Sequence, residues 1–248
     1  MWRGKSVSVV FPTYNERDSI RDAIEDFLAT ELVDEIIVVD NNAAPGTEDE
    51  VRQTEAVLVH EPRQGYGYAI QRGLTEASGD YLIVSEPDGT FAGRDVVKLL
   101  SYAEDCDVVY GTRTHREFIW AGANMGWFLK WGNYFAAKLM EFSFNTSTLS
   151  DVGCTMRLIT RPALQEVRPY FTVGGSAFGV EMMLVSLMRG LRVVQVPVNY
   201  TKRVGTSSVT GDPVKAIALG FEMLWMIGKY RIRSLGAPAP RGPRIPGG

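Results

Sequence analysis

Short runs of apolar, β-branched residues alternate with amphipathic stretches along the first half of the chain. Five runs read as strands: Ser6 to Phe11, Glu35 to Asp40, Ala56 to His60, Asp80 to Ser85 and Asp107 to Tyr110. Helical spacing separates them near residues 16 to 30, 47 to 54, 66 to 78 and 94 to 104. The runs are apolar at consecutive positions rather than at alternate ones, which fits strands covered on both faces. That is the signature of an α/β fold with a mostly parallel central sheet flanked by helices. Each run ends in polar residues, and ligands of open α/β sheets lie beyond the carboxyl ends of the strands. Thr13 to Glu16, Asp40 to Asn42, Arg63 to Gly67, Glu86 to Thr90 and Gly111 to Arg113 are therefore expected to line one cleft.

The pattern changes after Phe118. Residues 118–144 concentrate Trp120, Trp127, Phe128, Trp131, Tyr134, Phe135, Phe142 and Phe144 around Lys130 and Lys138. A segment lying in a bilayer interface and a core helix of the same domain are both consistent with that composition. Thr155 to Thr160 and Leu191 to Tyr200 read as strands, Gly179 to Arg189 as a helix, and residues 213–229 as a second apolar helix. Residues 234–248 hold four of the 12 prolines and read as a flexible Pro/Gly tail after a single domain spanning 1–233.

Composition narrows the function. The 248 residues are 45% hydrophobic, enough for a well-packed core. Twenty-six Lys and Arg against 29 Asp and Glu give a formal charge of −3, which supplies no global positive field for nucleic acid. Cys106 and Cys154 form no CxxC pair, so neither a disulfide scaffold nor a zinc site is expected. Val7 to Phe11 is too short for a signal-peptide core, and no uninterrupted run of 18 apolar residues occurs. A soluble or peripherally attached cytoplasmic protein is the expectation.

The sharpest chemical signal is Gly79 to Thr90, GDYLIVSEPDGT, where a buried strand delivers Glu86 and Asp88 at its carboxyl end. Alternate residues on an extended chain point the same way. Two converging carboxylates make a hard-oxygen site for Mg²⁺ or Mn²⁺, which complete their shells with water and substrate phosphates.

These residues belong to a longer ordered series. Val9 to Glu16 (VVFPTYNE), Glu35 to Asn41, Gly65-Tyr66-Gly67 with Ala69 and Gly73, Gly79-Asp80 and Glu86-Pro87-Asp88 together resemble the motifs of family 2 glycosyltransferases with the GT-A fold. Gly111-Thr112-Arg113, Asp151 to Cys154, Phe178 to Glu181, Val196 to Val198 and Arg203 to Ser207 resemble the dolichyl-phosphate mannose synthase branch and its polyprenyl-phosphate hexosyltransferase relatives. The likeness spans about residues 6–210.

The resemblance implies a divalent-metal-dependent, inverting transferase. It would move mannose or glucose from a GDP- or UDP-linked donor to a polyprenyl phosphate, in peripheral contact with the cytoplasmic face of a membrane. Pro12, Tyr14 and Glu16 match the nucleobase positions and Asp40 the residue beside base and ribose. Gly65 and Asp80 fall within the matched motifs and, with Arg63 of the expected cleft-lining stretch, are expected to bind substrate. Asp88 matches the second acid of the family's D-x-D, with Glu86 standing where the first Asp is usual and Thr90 where mannose synthases carry an amide. Arg203 and Ser207 match a loop that closes over the diphosphate, although Ser208 replaces the usual Lys. Arg113 matches an arginine that meets the acceptor phosphate, with Lys130 and Arg157 as looser candidates. Asp151 is the general base if the acceptor is a hydroxyl; an anionic phosphate needs none. Glu181 matches a recurrent acid, and a helix N-terminal carboxylate facing the macrodipole accounts for it equally well. Residues 118–144 and 213–229 become membrane-facing acceptor helices.

Two alternatives stay open: a saccharide or small-molecule hydroxyl acceptor, and a non-catalytic nucleotide-sugar-binding subunit. A nucleotidyltransferase or an NAD-binding domain would need a glycine-rich loop after the first strand, and FPTYNE contains no glycine.

Overall fold

The computed structural model describes residues 1–123, 127–205, 213–234 and 242. Seven strands form one sheet: β1 (Val7–Thr13), β2 (Glu35–Asp40), β3 (Val57–His60), β4 (Tyr81–Val84), β5 (Val108–Thr112), β6 (Arg157–Thr160) and β7 (Val193–Pro197). Their order is β3-β2-β1-β4-β6-β5-β7, parallel except for β6, which runs antiparallel to both neighbours. Among the described residues eight α-helices cover it: α1 (Ile20–Leu28), α2 (Thr47–Val51), α3 (Tyr66–Glu76), α4 (Val96–Leu100), α5 (Trp127–Phe144), α6 (Arg161–Val167), α7 (Phe178–Met188) and α8 (Pro213–Arg233). The expected strands are all present and the sheet is mostly parallel, in the GT-A arrangement.

Both faces are buried, which explains the continuous apolar runs. Along β1, Val7, Val9 and Phe11 enter a core with α1 and α4, whereas Val10 enters a second core with α3, α5, α7 and α8. Along β4, Tyr81 and Ile83 join the first core while Leu82 and Val84 join the second, as a period of two requires. Phe11 and Phe27 meet edge to face with centroids 5.1 Å apart.

Several boundaries differ from the sequence reading. Helix α1 begins only at Ile20 because Glu16 folds back to accept from the backbone N–H groups of Tyr14 (2.6 Å) and Asn15 (2.8 Å), holding the preceding loop open. Helix α6 was not expected. It follows β6 directly, capped by the Thr160 hydroxyl, with Pro162 in its first turn where a missing N–H costs nothing. Helix α5 packs one side into the core, as the core-helix reading expects, and leaves another side exposed. Ala136, Ala137 and Met140 pack into the core, whereas Trp131, Phe135 and Phe142 face outward, Phe142 at 87% exposure. The proposed flexible tail falls almost wholly outside the described residues.

The parallel strands β1 and β4 mark the point where the strand order turns from one side of the sheet to the other, placing a crevice at their carboxyl ends. Helix α3 enters this crevice through Gly65-Tyr66-Gly67. Gly65 has φ of 153°, and a Cβ there would lie 2.3 Å from the Gly174 carbonyl oxygen. A Cβ at Gly67 would lie 2.6 Å from the Val173 oxygen, so both glycines permit the close docking of α3 on the 173–175 loop.

Candidate active site

A cavity of about 690 Å³ occupies the crevice. One end is lined by Pro12, Thr13, Tyr14 and Glu16 after β1 and by Asn41 after β2; Glu86 and Pro87 form its middle. Arg113, Thr155 and Arg157 line the other half, closed by apolar residues of α5 and α8 including Phe135, Ala136, Met223 and Leu224.

Glu86 and Asp88 converge as their spacing predicted. The convergence is visible through Arg203, one of whose guanidinium nitrogens lies 2.7 Å from Glu86 Oε2 and 2.5 Å from Asp88 Oδ2. Asp88 is 1% exposed, and the Thr90 backbone N–H and hydroxyl both donate to its Oδ1. Thr90 thus orients the carboxylate. Burial, reinforced by the neighbouring Asp88 charge, raises the Glu86 carboxyl to about 8 despite the opposing Arg203. Two carboxylates that jointly grip one cation are a suitable donor set for Mg²⁺ or Mn²⁺, and no cluster of three or more His, Cys, Asp or Glu exists among the described residues. Arg203 reaches the acids because the Val204 N–H donates to the Asp88 carbonyl (2.8 Å) and the Thr201 N–H to that of Thr90 (2.9 Å). Ser207 and Ser208 lie outside the described residues.

Arg113 and Asp151 form a tight pair. Arg113 Nε and Nη2 donate to the two carboxylate oxygens at 2.8 and 3.0 Å, the Arg113 N–H adds 3.0 Å and the Gly153 N–H 2.9 Å. Burial alone would raise the Asp151 carboxyl; the guanidinium more than reverses this and holds it below its usual range. Asp151 is 2% exposed and does not line the cavity. The guanidinium also lies over the Tyr200 ring, 5.2 Å from its centroid.

Other expected residues fall elsewhere. Asp80 is a correction: it immediately precedes β4, at the end of the sheet opposite the cavity, where it accepts from the Ser6 N–H (2.9 Å) and hydroxyl (3.1 Å). Its nearness in sequence to Glu86 and Asp88 is undone by the length of the strand between them. Arg63 is 64% exposed, paired with Glu61 and stacked on Tyr68, and does not line the cavity. Asp40 sits behind the wall, accepting from the Ala43 N–H (2.7 Å) with His60 Nδ1 at 3.4 Å, while Asn41 faces inward. Asn41 also accepts from the Gly65 N–H and donates to the Glu61 and Arg63 carbonyls, fixing the turn into α3. Lys130 is half-buried on α5, off the cavity wall. Glu181 is fully buried and accepts from the Thr172 and Val173 N–H groups, the Thr172 hydroxyl and, at 2.7 Å, the Tyr230 hydroxyl. It ties α8 to the 172–173 loop rather than facing substrate.

Sequence reasoning missed Tyr66, which lines the cavity. The Gly-Tyr-Gly motif marked the position of Tyr66 without saying where its hydroxyl points.

This is the site of a nucleotide-sugar-type GT-A fold, with its acids where the strand order turns. The model of the family described as "Glycosyl transferase family 2" matches residues 8–168, and the chain belongs to that family; it is a glycosyltransferase. It is 26% identical over 214 residues to the low-salt glycan biosynthesis hexosyltransferase Agl6 of Haloferax volcanii, covering 84% of this chain and 51% of that protein. The chain thus spans about half the length of that relative. An uncharacterised glycosyltransferase of Mycobacterium tuberculosis is 26% identical over 228 residues, covering 90% of this chain and 98% of the relative. Among solved structures, glucosyl-3-phosphoglycerate synthase of M. tuberculosis in complex with Mn²⁺, UDP-glucose and phosphoglyceric acid superposes with a TM-score of 0.72 at 18% identity, covering 95% of this chain and 81% of that one. This likeness shows the fold.

Proposed function

We propose that the chain transfers a hexose, with inversion, from a nucleoside diphosphate sugar to a polyprenyl phosphate. The observation that carries this reading is one continuous cavity lined by Glu86, with the buried Asp88 bridged to it through Arg203, and walled also by the apolar residues of α5 and α8. A hexosyltransferase among the relatives, and Mn²⁺ with UDP-glucose in a structural neighbour, support the donor class.

Glu86 and Asp88 would hold the divalent ion, which neutralises charge developing on the diphosphate as the sugar leaves. Pro12, Tyr14, Glu16 and Asn41 line the nucleotide end, where the Tyr14 ring, 45% exposed, is free to flank a base. Arg203 is the loop cation nearest the leaving group and stabilises its charge. The acceptor phosphate oxygen forms a bond to C1 as the bond from C1 to the diphosphate oxygen breaks with its electron pair. A phosphate monoester becomes a diester and the nucleotide leaves as a diphosphate, so charge balances with no proton removed. This fits Asp151, whose two oxygens are already committed to Arg113 and the Gly153 N–H; a hydroxyl acceptor would need a free base that Asp151 does not offer.

Helices α5 and α8 expose Trp131, Phe142 and Trp225 beside the cavity and Phe135 and Phe221 at its wall, with Lys229, Arg231 and Arg233 at the end of α8. Aromatic faces bordered by cations suit peripheral contact with an anionic bilayer on the cytoplasmic side. No helix among the described residues is long and apolar enough to cross a membrane.

The test is transfer of radiolabelled sugar from GDP-mannose and, separately, UDP-glucose into an organic-extractable polyprenyl phosphate with Mn²⁺ or Mg²⁺. Organic-phase label that disappears in Asp88→Ala is the expected result and names the donor. Label passing only to water-soluble 3-phosphoglycerate would replace the lipid acceptor with a small phosphate.

A further inference from the structure

Three arginines line the cavity: Arg113, Arg157 and Arg203. Arg113 is neutralised by Asp151, and Arg203 by Glu86 and Asp88. Arg157 is 4% exposed, yet each of its hydrogen bonds goes to a neutral carbonyl: Nη1 to Gly179 (2.7 Å), Nη2 to Cys154 and Nε to Thr155 (3.4 Å). Its guanidinium rests over the Tyr110 ring, 5.6 Å from the centroid. Among the described residues it has no carboxylate partner. A buried cation held only by dipoles and a ring face is costly unless an anion joins it.

The surroundings are built for that anion. Arg157 opens β6, and because β6 is antiparallel this first residue stands at the cavity end of the sheet, opposite Val84 and Tyr110. Gly179 lets the guanidinium lie against the backbone, since a Cβ there would come within 2.9 Å of Nη2. Beside it the Thr155 and Tyr66 hydroxyl oxygens are buried with no close hydrogen-bond partner, the Tyr66 hydroxyl turned toward Glu86, and both residues line the cavity. Tyr66 stands within electrostatic reach of Glu86 and Asp88 and of Arg157, so its hydroxyl lies at the junction of the two halves of the site. Three of the five guanidinium N–H groups are spent on carbonyls, leaving one on each terminal nitrogen. With two hydroxyls they present four donors, a complement suited to a tetrahedral oxyanion.

We propose that Arg157, assisted by the Tyr66 and Thr155 hydroxyls, is the anchor for a phosphate monoester acceptor, and that Arg113 is a positioning residue locked by Asp151. The inference rests on the acceptor class proposed above and assigns its charge to a residue other than the arginine that the family resemblance implies. The chemistry recognised is a phosphate monoester, whether it ends a lipid or a small metabolite.

Isothermal titration of the chain loaded with Mn²⁺ and UDP or GDP tests the assignment, using citronellyl phosphate, citronellol and 3-phosphoglycerate as probes. The wild type should bind citronellyl phosphate and not citronellol. Arg157→Gln should weaken phosphate binding at least about tenfold and Tyr66→Phe about threefold, with nucleotide affinity unchanged within about twofold. Phosphate affinity equal to wild type in either variant overturns the anchor. Should Arg157→Gln lose nucleotide binding through misfolding, the isosteric Tyr66→Phe decides alone. A wild type that binds nucleotide but neither phosphate overturns the acceptor reading itself, a different outcome from variants that bind phosphate normally. Preference for citronellyl phosphate or for 3-phosphoglycerate, with the same dependence on Arg157, supports the anchor and names its source.

Discussion

Arg203 Nη2 lies 2.5 Å from Asp88 Oδ2, at the point where the two acids converge. The loop cation thus competes for the place that the donor set offers to a divalent ion. Arg203→Gln should therefore raise Mn²⁺ affinity about tenfold in the absence of nucleotide, read by calorimetry. With donor saturating, the same variant should lose about 100-fold in kcat, because a donor to the leaving diphosphate is gone. Unchanged Mn²⁺ affinity would show that the contact does not compete.

The Arg113–Asp151 pair is buried, and removing one charge strands the other. Asp151→Asn should cost about 3 kcal/mol in chemical denaturation at pH 7. The folded carboxyl is held below its ordinary value, so this contribution is present above the unfolded value of about 3.9 and is lost as pH falls through the lower folded value. The difference between wild type and variant should accordingly be constant from pH 6 to 8 and shrink below about pH 4. A gap that widened on acidification would contradict the pairing.

Glu181 accepts from three donors of the 172–173 loop and from Tyr230 of α8. Glu181→Gln places an amide among donors and should cost about 2 kcal/mol, while Tyr230→Phe should cost about 1. Both should speed limited proteolysis within α8 relative to the sheet. Spectrophotometric titration offers a second check, since burial, together with the Glu181 bond, raises the Tyr230 phenol to about 12. Its ionisation should move toward the ordinary range in Glu181→Gln.

Phe221 and Trp225 are 70% and 64% exposed on α8. Replacing both with Ser should reduce sedimentation with phosphatidylglycerol vesicles roughly tenfold, each ring losing part of its transfer free energy. The affinity for UDP or GDP should not move, because neither residue lies at the nucleotide end of the cavity. Equal sedimentation would remove this face from any membrane contact.

Much of this molecule is written in its consecutive residues. A strand covered on both faces needs apolar side chains at every position, so β1, β2, β4 and β5 announce themselves as runs such as VSVVF and EIIVVD. The period of two likewise puts Glu86 and Asp88 on one side, so the pair of acids was legible as a cation site. What a run cannot contain is its relation to distant residues. The direction of β6 depends on how the chain returns through α5, and that direction brings Arg157 to the cavity. Asp80 and Asp88 sit eight residues apart and look like one motif, but β4 carries them to opposite ends of the sheet. Arg113 and Arg157 are indistinguishable as single letters; Asp151 neutralises the first, and only carbonyls meet the second. Pairing of that kind is decided when strands far apart in sequence are set side by side, because charge compensation depends on distance in space and local periodicity carries no information about it.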